Sequence, residues 1–382
     1  MIYYLRLTYA IVRKLDITFS FLEREYNEIY DDAWKNNNKY SFNINKKMIN
    51  SYNKPLFDYS ENLFLPVEAL MDAIDKHLSK NHQILEQIDA EMVSNNLSRT
   101  INFYKESNIL QNVAEIKEVN GEYQIQISLT FCQFAWSVAL FLLSYFDNCV
   151  LIPFMNALGI NKQNRKINHE ELEFVNDSFF KGRTLLYKVN TEQFFNMPNI
   201  CDPQQFSECI NRANAVFCGG LTFVFLHEFS HNYLGHTQNN NSYEHSVCDE
   251  VAADETALDF LSETFEGEDG YTNKAGIVII LCSLLLMGDD TISGGGSHPN
   301  MDYRIDYIMK KLNLDDHDCL WGIVGSAIRL WLMIYGDFTI PEDQKMGPWM
   351  YYRDFYADYI KQLTMVREKR YPHVCKPDWY TV

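Results

Sequence analysis

The sequence predicts a mainly α-helical protein that is α+β only through one small β-hairpin. Three observations lead there. From about residue 211 the pattern changes to long apolar helices, the first 115 residues are polar-rich but helical in pattern, and strict alternation occurs only around Asn120-Gly121. Hydrophobic residues make up 47% of the chain and aromatics 14%, which excludes the disordered class. At 382 residues, and at about 100–200 residues per domain, two domains or one large one are expected. The pattern divides the chain into a mostly helical region at 1–210 with a hairpin near 115–128, a helical core at 211–340, and an extension at 341–382.

In order along the chain, Lys35-Asn36-Asn37-Asn38-Lys39 reads as an exposed loop. Glu68 to Ile88 carries helical periodicity through Leu70, Ile74, His77 and Leu78. Glu115 to Ser128 is the β signal, with Asn120-Gly121 set between alternating apolar residues as a type I′ turn requires. Ala213 to Leu234 is a long helix, nearly all apolar from Leu221 to Leu226 and so suited to the centre of a domain. Gly219-Gly220 inside it lowers helix propensity and is expected to admit a neighbouring backbone, while Gly235 can end it. A polar loop, Thr237 to Ser242, leads to a second helix from about Val247 to Phe265, and Ala275 to Met287 forms a third. The glycine-rich segment from Gly288 to Gly296 reads as a loop, and helices resume near Tyr303 and at Trp321 to Tyr335.

A formal net charge of −18 repels nucleic acid and anionic membranes and favours a basic partner or substrate. The nine cysteines are odd in number, widely spaced and without a C-x-x-C, the pattern of a reduced, cytoplasmic compartment. The start, Met1-Ile2-Tyr3-Tyr4-Leu5-Arg6, lacks the features of a signal peptide. Phe131 to Phe146 and the 13 residues from Ala275 to Met287 are apolar, but both fall short of the roughly 20 residues of a membrane span, so buried helices are expected.

The long helix carries His227-Glu228-Phe229-Ser230-His231, an H-E-x-x-H motif. His227 and His231 are one helical turn apart on one face, close enough to chelate one metal ion. Glu228 is rotated by roughly 100° and can reach a bound water rather than the metal. A metal acidifies such a water, and the glutamate accepts its proton. A catalytic zinc needs a third protein ligand. The second helix offers Glu250 and Asp254, again one turn apart; if Glu250 binds the metal, Asp254 can accept the free N–H of a ligand histidine. Ala253 and Ala257 would let the two helices pack closely. Asp249 and Glu250 could equally be ordinary charges at a helix N-terminus, and His236, His245 and Asp254 are rival third ligands. His236 does not complete the longer H-E-x-x-H-x-x-G-x-x-H pattern, because Gly235 and His236 fall at the wrong offsets, and a solvated or capping histidine is the expected role of His236 and of His245. Beyond the glycine loop, His298 or Arg304 can donate to an oxyanion, Arg304 can instead tie its helix to the carboxylates, and His298-Pro299 can simply start a helix.

Taken together, His227-Glu228-Phe229-Ser230-His231, Glu250-x-x-Ala253-Asp254-x-x-Ala257, and Ser297-His298-Pro299 with Arg304-Ile305 resemble the glutamate-zincin core of the HtpX and CAAX-prenyl-type metallopeptidases. The same order is similar to that of the soluble phage-exclusion peptidases of the Lit family. The resemblance spans about residues 213–310. It implies a zincin-like helical metallopeptidase core with Zn²⁺ on His227, His231 and Glu250, Glu228 as base, and Asp254 behind a ligand histidine. It also implies a soluble enzyme that cleaves a protein in phage defence and is latent until triggered. The other readings are a non-enzymatic sensor with a metal-stabilised core and a membrane-associated metallopeptidase.

Overall fold

The computed structural model describes residues 82–98, 101–104, 112–157, 164–186, 206–238, 243–262, 264–265, 267–293, 299–336 and 352–372, with Ile74 and Leu78. The expected loops at 35–39 and 294–296, the remainder of 68–81, and His298 lie outside them. The described chain is mainly helical, with one small mixed sheet.

Helix α1 (His82–Ser94) precedes strands β1 (Asn102–Tyr104), β2 (Ala114–Val119) and β3 (Glu122–Ser128). The hairpin is as expected: β2 and β3 are antiparallel with Val119 opposite Glu122, and both turn residues, Asn120 and Gly121, have positive φ. Sequence alternation did not show β1, which is only three residues long and pairs parallel to β3, making β3 the central strand.

Ser128 ends β3 and starts helix α2 (Leu129–Phe146), its side chain accepting a hydrogen bond from the Phe131 N–H at 3.0 Å. A π-helical turn (Asp147–Leu151) carries the same rod onward into α3 (Ile152–Ala157). The apolar helix therefore runs through Leu129–Leu151, longer than the run read from sequence, and Glu208–Tyr233 is also long and apolar enough to cross a membrane. Length no longer argues against a span; instead the first window is wholly buried by the rest of this chain, and most of the second is too.

Helix α4 (His169–Thr184), capped by Asn168, covers α2. The motif helix α5 (Ser207–Tyr233) follows. Trp136 Nε1 of α2 donates to Asn214 Oδ1 of α5 at 2.7 Å, and Arg212 Nη1 of α5 donates to Asp147 at 2.5 Å. Elements from both sides of residue 210 thus share one hydrophobic core. Next come α6 (Tyr243–Ser262) and α7 (Gly267–Leu286), both beginning earlier than the sequence pattern indicated. Helices α8 (Met301–Lys311), α9 (Cys319–Tyr335) and α10 (Tyr352–Arg370) complete the described chain. Helix α8 begins after Asn300, so Pro299 lies outside the helix and does not occupy an early helical position.

Gly219-Gly220 does admit a neighbour. A Cβ on Gly220 would lie 2.6 Å from the Gly276 carbonyl oxygen of α7, and one on Gly276 would lie 2.3 Å from the Gly220 nitrogen. Two backbones meet there, so no side-chain rearrangement can make room. Gly276→Ala should therefore lower stability by about 1–3 kcal/mol or more, read as the midpoint of chemical denaturation. An unchanged midpoint would contradict the close crossing of α5 and α7.

Candidate metal centre

Helix α5 is buried along almost its whole length and brings His227, Glu228 and His231 to its C-terminal end. Helix α6 packs against it, and its Ala253 and Ala257, one turn apart beside Glu250 and Asp254, are fully buried. Because α6 starts at Tyr243, Asp249 and Glu250 stand beyond its first turn, and the reading of them as helix-terminal charges does not apply.

Three donors converge. The two histidine Nε2 atoms are 3.2 Å apart. Glu250 faces both, with Oε2 at 3.4 Å from His227 Nε2 and Oε1 at 3.4 Å from His231 Nε2. His227, His231 and Glu250 can hold one metal ion, since their ligand atoms lie within 4.8 Å of one another. Two nitrogens and one carboxylate oxygen form a donor set that suits zinc.

Asp254 lies behind this group. Its Oδ1 is 2.9 Å from His227 Nδ1, while Arg304 donates from Nε to Oδ2 and from Nη2 to Oδ1, each at 2.7 Å. Burial would raise the Asp254 pKa, but Arg304 and His227 outweigh it and hold the group ionised below its ordinary range. An ionised carboxylate only accepts, so the His227 Nδ1 carries the proton and its Nε2 is turned toward Glu250 and His231. Burial would likewise lower Arg304, and Asp254, with smaller contributions from Glu250 and Glu228, raises it instead. Arg304 thus ties α8 to α6, one of the two roles its sequence position allowed. Glu228 is buried, 8% exposed, beside His227 on the motif helix.

His236 follows the helix end made by Gly235, whose φ is +74°. It sits in a short 3₁₀ turn, with its Nδ1 at 3.1 Å from His231 Nδ1 and its Nε2 at 3.5 Å from Asp249 Oδ1. It is outside the converging donors, on the far side of the His231 ring. Its pKa is lowered, first by burial, with Asp249 opposing. His245 lies in α6, and His298 falls outside the described residues. Sequence reasoning weighed Asp249 only as a helix-end charge and missed its approach to His236. The i to i+5 spacing of His231 and His236 across a glycine was the available signal.

In the metal-free protein, burial opposes charge on His227, but hydrogen bonds to Asp254 and Glu250 prevail and raise its pKa from 6.5 to about 10. A raised pKa stabilises the fold fully below the unfolded value, and this contribution is lost as pH rises through the folded one. Chelator-treated protein should therefore lose stability between pH 6.5 and about 10, measured by denaturant midpoint. Asp254→Asn should flatten that slope; an unaltered slope would contradict the His227–Asp254 contact. At the acid end the lowered Asp254 acts oppositely, stabilising above its unfolded value of 3.8 and less as pH falls through its folded pKa.

Comparison with known protein families gives a match. The model of the Peptidase U49 family fits residues 125–324, more than half of the chain. No curated protein matches, and no solved structure does. The matched span contains α5 to α8 and every residue of the cluster, and the chain belongs to the Peptidase U49 family.

Proposed function

We propose that this peptidase is a soluble, cytoplasmic, zinc-dependent endopeptidase that hydrolyses a peptide bond in a protein substrate. The observation that carries the reading is the convergence of His227 Nε2, His231 Nε2 and the Glu250 carboxylate beside Glu228. His227, His231 and Glu250 would hold the metal. When bound there, zinc supplies Lewis acidity toward a carbonyl oxygen and toward water. Glu228 is the base: its carboxylate takes the proton of the attacking water and can return it to the leaving amine. A purely structural site has no use for a carboxylate between its two histidines, which weighs against a non-enzymatic sensor.

Arg304 acts through Asp254, since Nε and Nη2 both serve that carboxylate. His298 is the candidate donor to the oxyanion. The sheet offers a docking place for an extended substrate: β2 and β3 pack against α5, and among the described residues β2 pairs on one edge only. Because β1 covers β3, the hairpin strand available for backbone pairing is β2. The net charge of −18 favours a basic protein substrate. Similarity to the Lit-type phage-exclusion peptidases supports a defence role in which the activity is latent until triggered. Burial of the two long apolar helices supports the soluble form over the membrane-associated one.

The test is proteolysis itself. Wild-type and Glu228→Gln protein are incubated with a lysate of phage-infected cells, which supplies the trigger as well as the substrate, and new protein N-termini are counted by mass spectrometry. Wild type should generate cuts at a rate about 10²–10⁴-fold above Glu228→Gln, with the zinc content of the two equal. Equal cutting by both proteins would remove Glu228 from the chemistry.

A further inference from the structure

The reading above leaves His236 and Asp249 without a task, although both are drawn to the centre. His231 has two ring nitrogens facing two different partners. Its Nε2 faces Glu250 and His227, at 3.4 and 3.2 Å, and its Nδ1 faces His236 Nδ1 at 3.1 Å. The two imidazoles meet edge to face, with centroids 5.2 Å apart and planes at 67°. The other nitrogen of His236, Nε2, is 3.5 Å from Asp249 Oδ1.

One arrangement of protons suits the whole chain of contacts. For His231 to present a lone pair at Nε2, its proton must be on Nδ1, and that N–H then donates to His236. His236 Nδ1 must accept, which leaves its own proton on Nε2, the atom that faces Asp249. The carboxylate at the end of the chain makes this direction the favoured one.

We propose that His236, backed by Asp249, is a positioning residue that fixes the tautomer and ring orientation of His231 for metal binding. The proposal rests on the metallopeptidase reading. The fold builds the support from local pieces. Gly235, with φ of +74°, ends α5 so that the next residue turns back onto the His231 ring. Asp249 immediately precedes Glu250 on α6, so one helix supplies both the carboxylate facing the metal position and the carboxylate behind it. Each histidine then has an aspartate-terminated support from α6. His227 reaches Asp254 directly, and His231 reaches Asp249 through His236. This arrangement also explains why His236 is not a third ligand: it occupies the nitrogen of His231 turned away from Glu250.

The test measures zinc affinity by competition with a chromogenic chelator, using full-length wild type, His236→Phe and His236→Gln. The visible spectrum of each cobalt-substituted protein and the unfolding midpoint of each metal-free protein are recorded alongside. Glutamine offers a carbonyl oxygen to the His231 N–H; phenylalanine offers nothing. His236→Phe should bind zinc about 10–100-fold more weakly with an altered cobalt spectrum, and His236→Gln should stay within a few-fold of wild type. The metal-free midpoints should be alike. Equal affinity of His236→Phe and wild type would overturn the proposal and leave the zinc site standing. Equal, severe losses in both variants would also overturn it, by making His236 a ligand. A wild type that binds no zinc would overturn the metallopeptidase reading and this proposal with it.

Discussion

The carboxylate of Asp254, buried between His227 and Arg304, is the interaction on which the centre depends. A charge taken out of water is costly unless its partners replace the lost hydration. Here two N–H groups from α8 do so, with His227 Nδ1 of α5 facing the carboxylate at 2.9 Å, while Asp254 itself belongs to α6. Removal of either partner would strand a buried charge, at about 3–5 kcal/mol. The same contact that orients His227 therefore also holds three helices in register. Helix α8 is in turn anchored from its other side by α10. Arg367 donates to Asp302 at 2.7 Å and stacks over Tyr303, and Tyr356 donates to Asp306 at 2.8 Å. A C-terminal helix remote in sequence thus steadies Arg304.

The surroundings explain how so polar a cluster is kept in place. Helices α2 and α5, and α7 from Ala275 onward, are apolar and almost wholly buried, and α5 and α7 meet backbone to backbone at Gly220 and Gly276. Side chains packed in this way have few alternative positions, so the histidines emerge from a rigid rod. The rod reaches the surface at its end: Tyr233 and Leu234, just past His231, are 41% and 39% exposed. A substrate can approach there without opening the core. The sheet lies against the same helix, and among the described residues its strand β2 is paired on one edge only.

Much of this was legible in the sequence because the signals are local. The i, i+4 spacing of His227 and His231, the same spacing of Glu250 and Asp254, and the Asn120-Gly121 turn each depend on a handful of neighbouring residues. The Gly219-Gly220 pair signalled a close approach, but the partner, Gly276, is visible only in three dimensions. What sequence did not show is non-local or lacks periodicity. The short strand β1 is defined by its parallel pairing with β3, and the π turn at Asp147–Leu151 lengthens an apolar helix that appeared to stop. The polar residues before Val247 carry no apolar stripe, so the earlier onset of α6 at Tyr243, which puts Asp249 and Glu250 beyond a first turn, is not visible in the sequence. The sequence spacing of His236 speaks only against a ligand role and for a solvated or capping histidine, whereas a reversal at Gly235 brings it onto the His231 ring.

Metal content of purified protein never exposed to chelator bears most directly on the centre. Wild type, Glu228→Gln and Glu250→Ala are to be compared by elemental analysis. One zinc per chain in the first two and little in the third is the expected result. Full zinc occupancy in Glu250→Ala, or none in the wild type, would contradict the assignment of His227, His231 and Glu250 as the metal site.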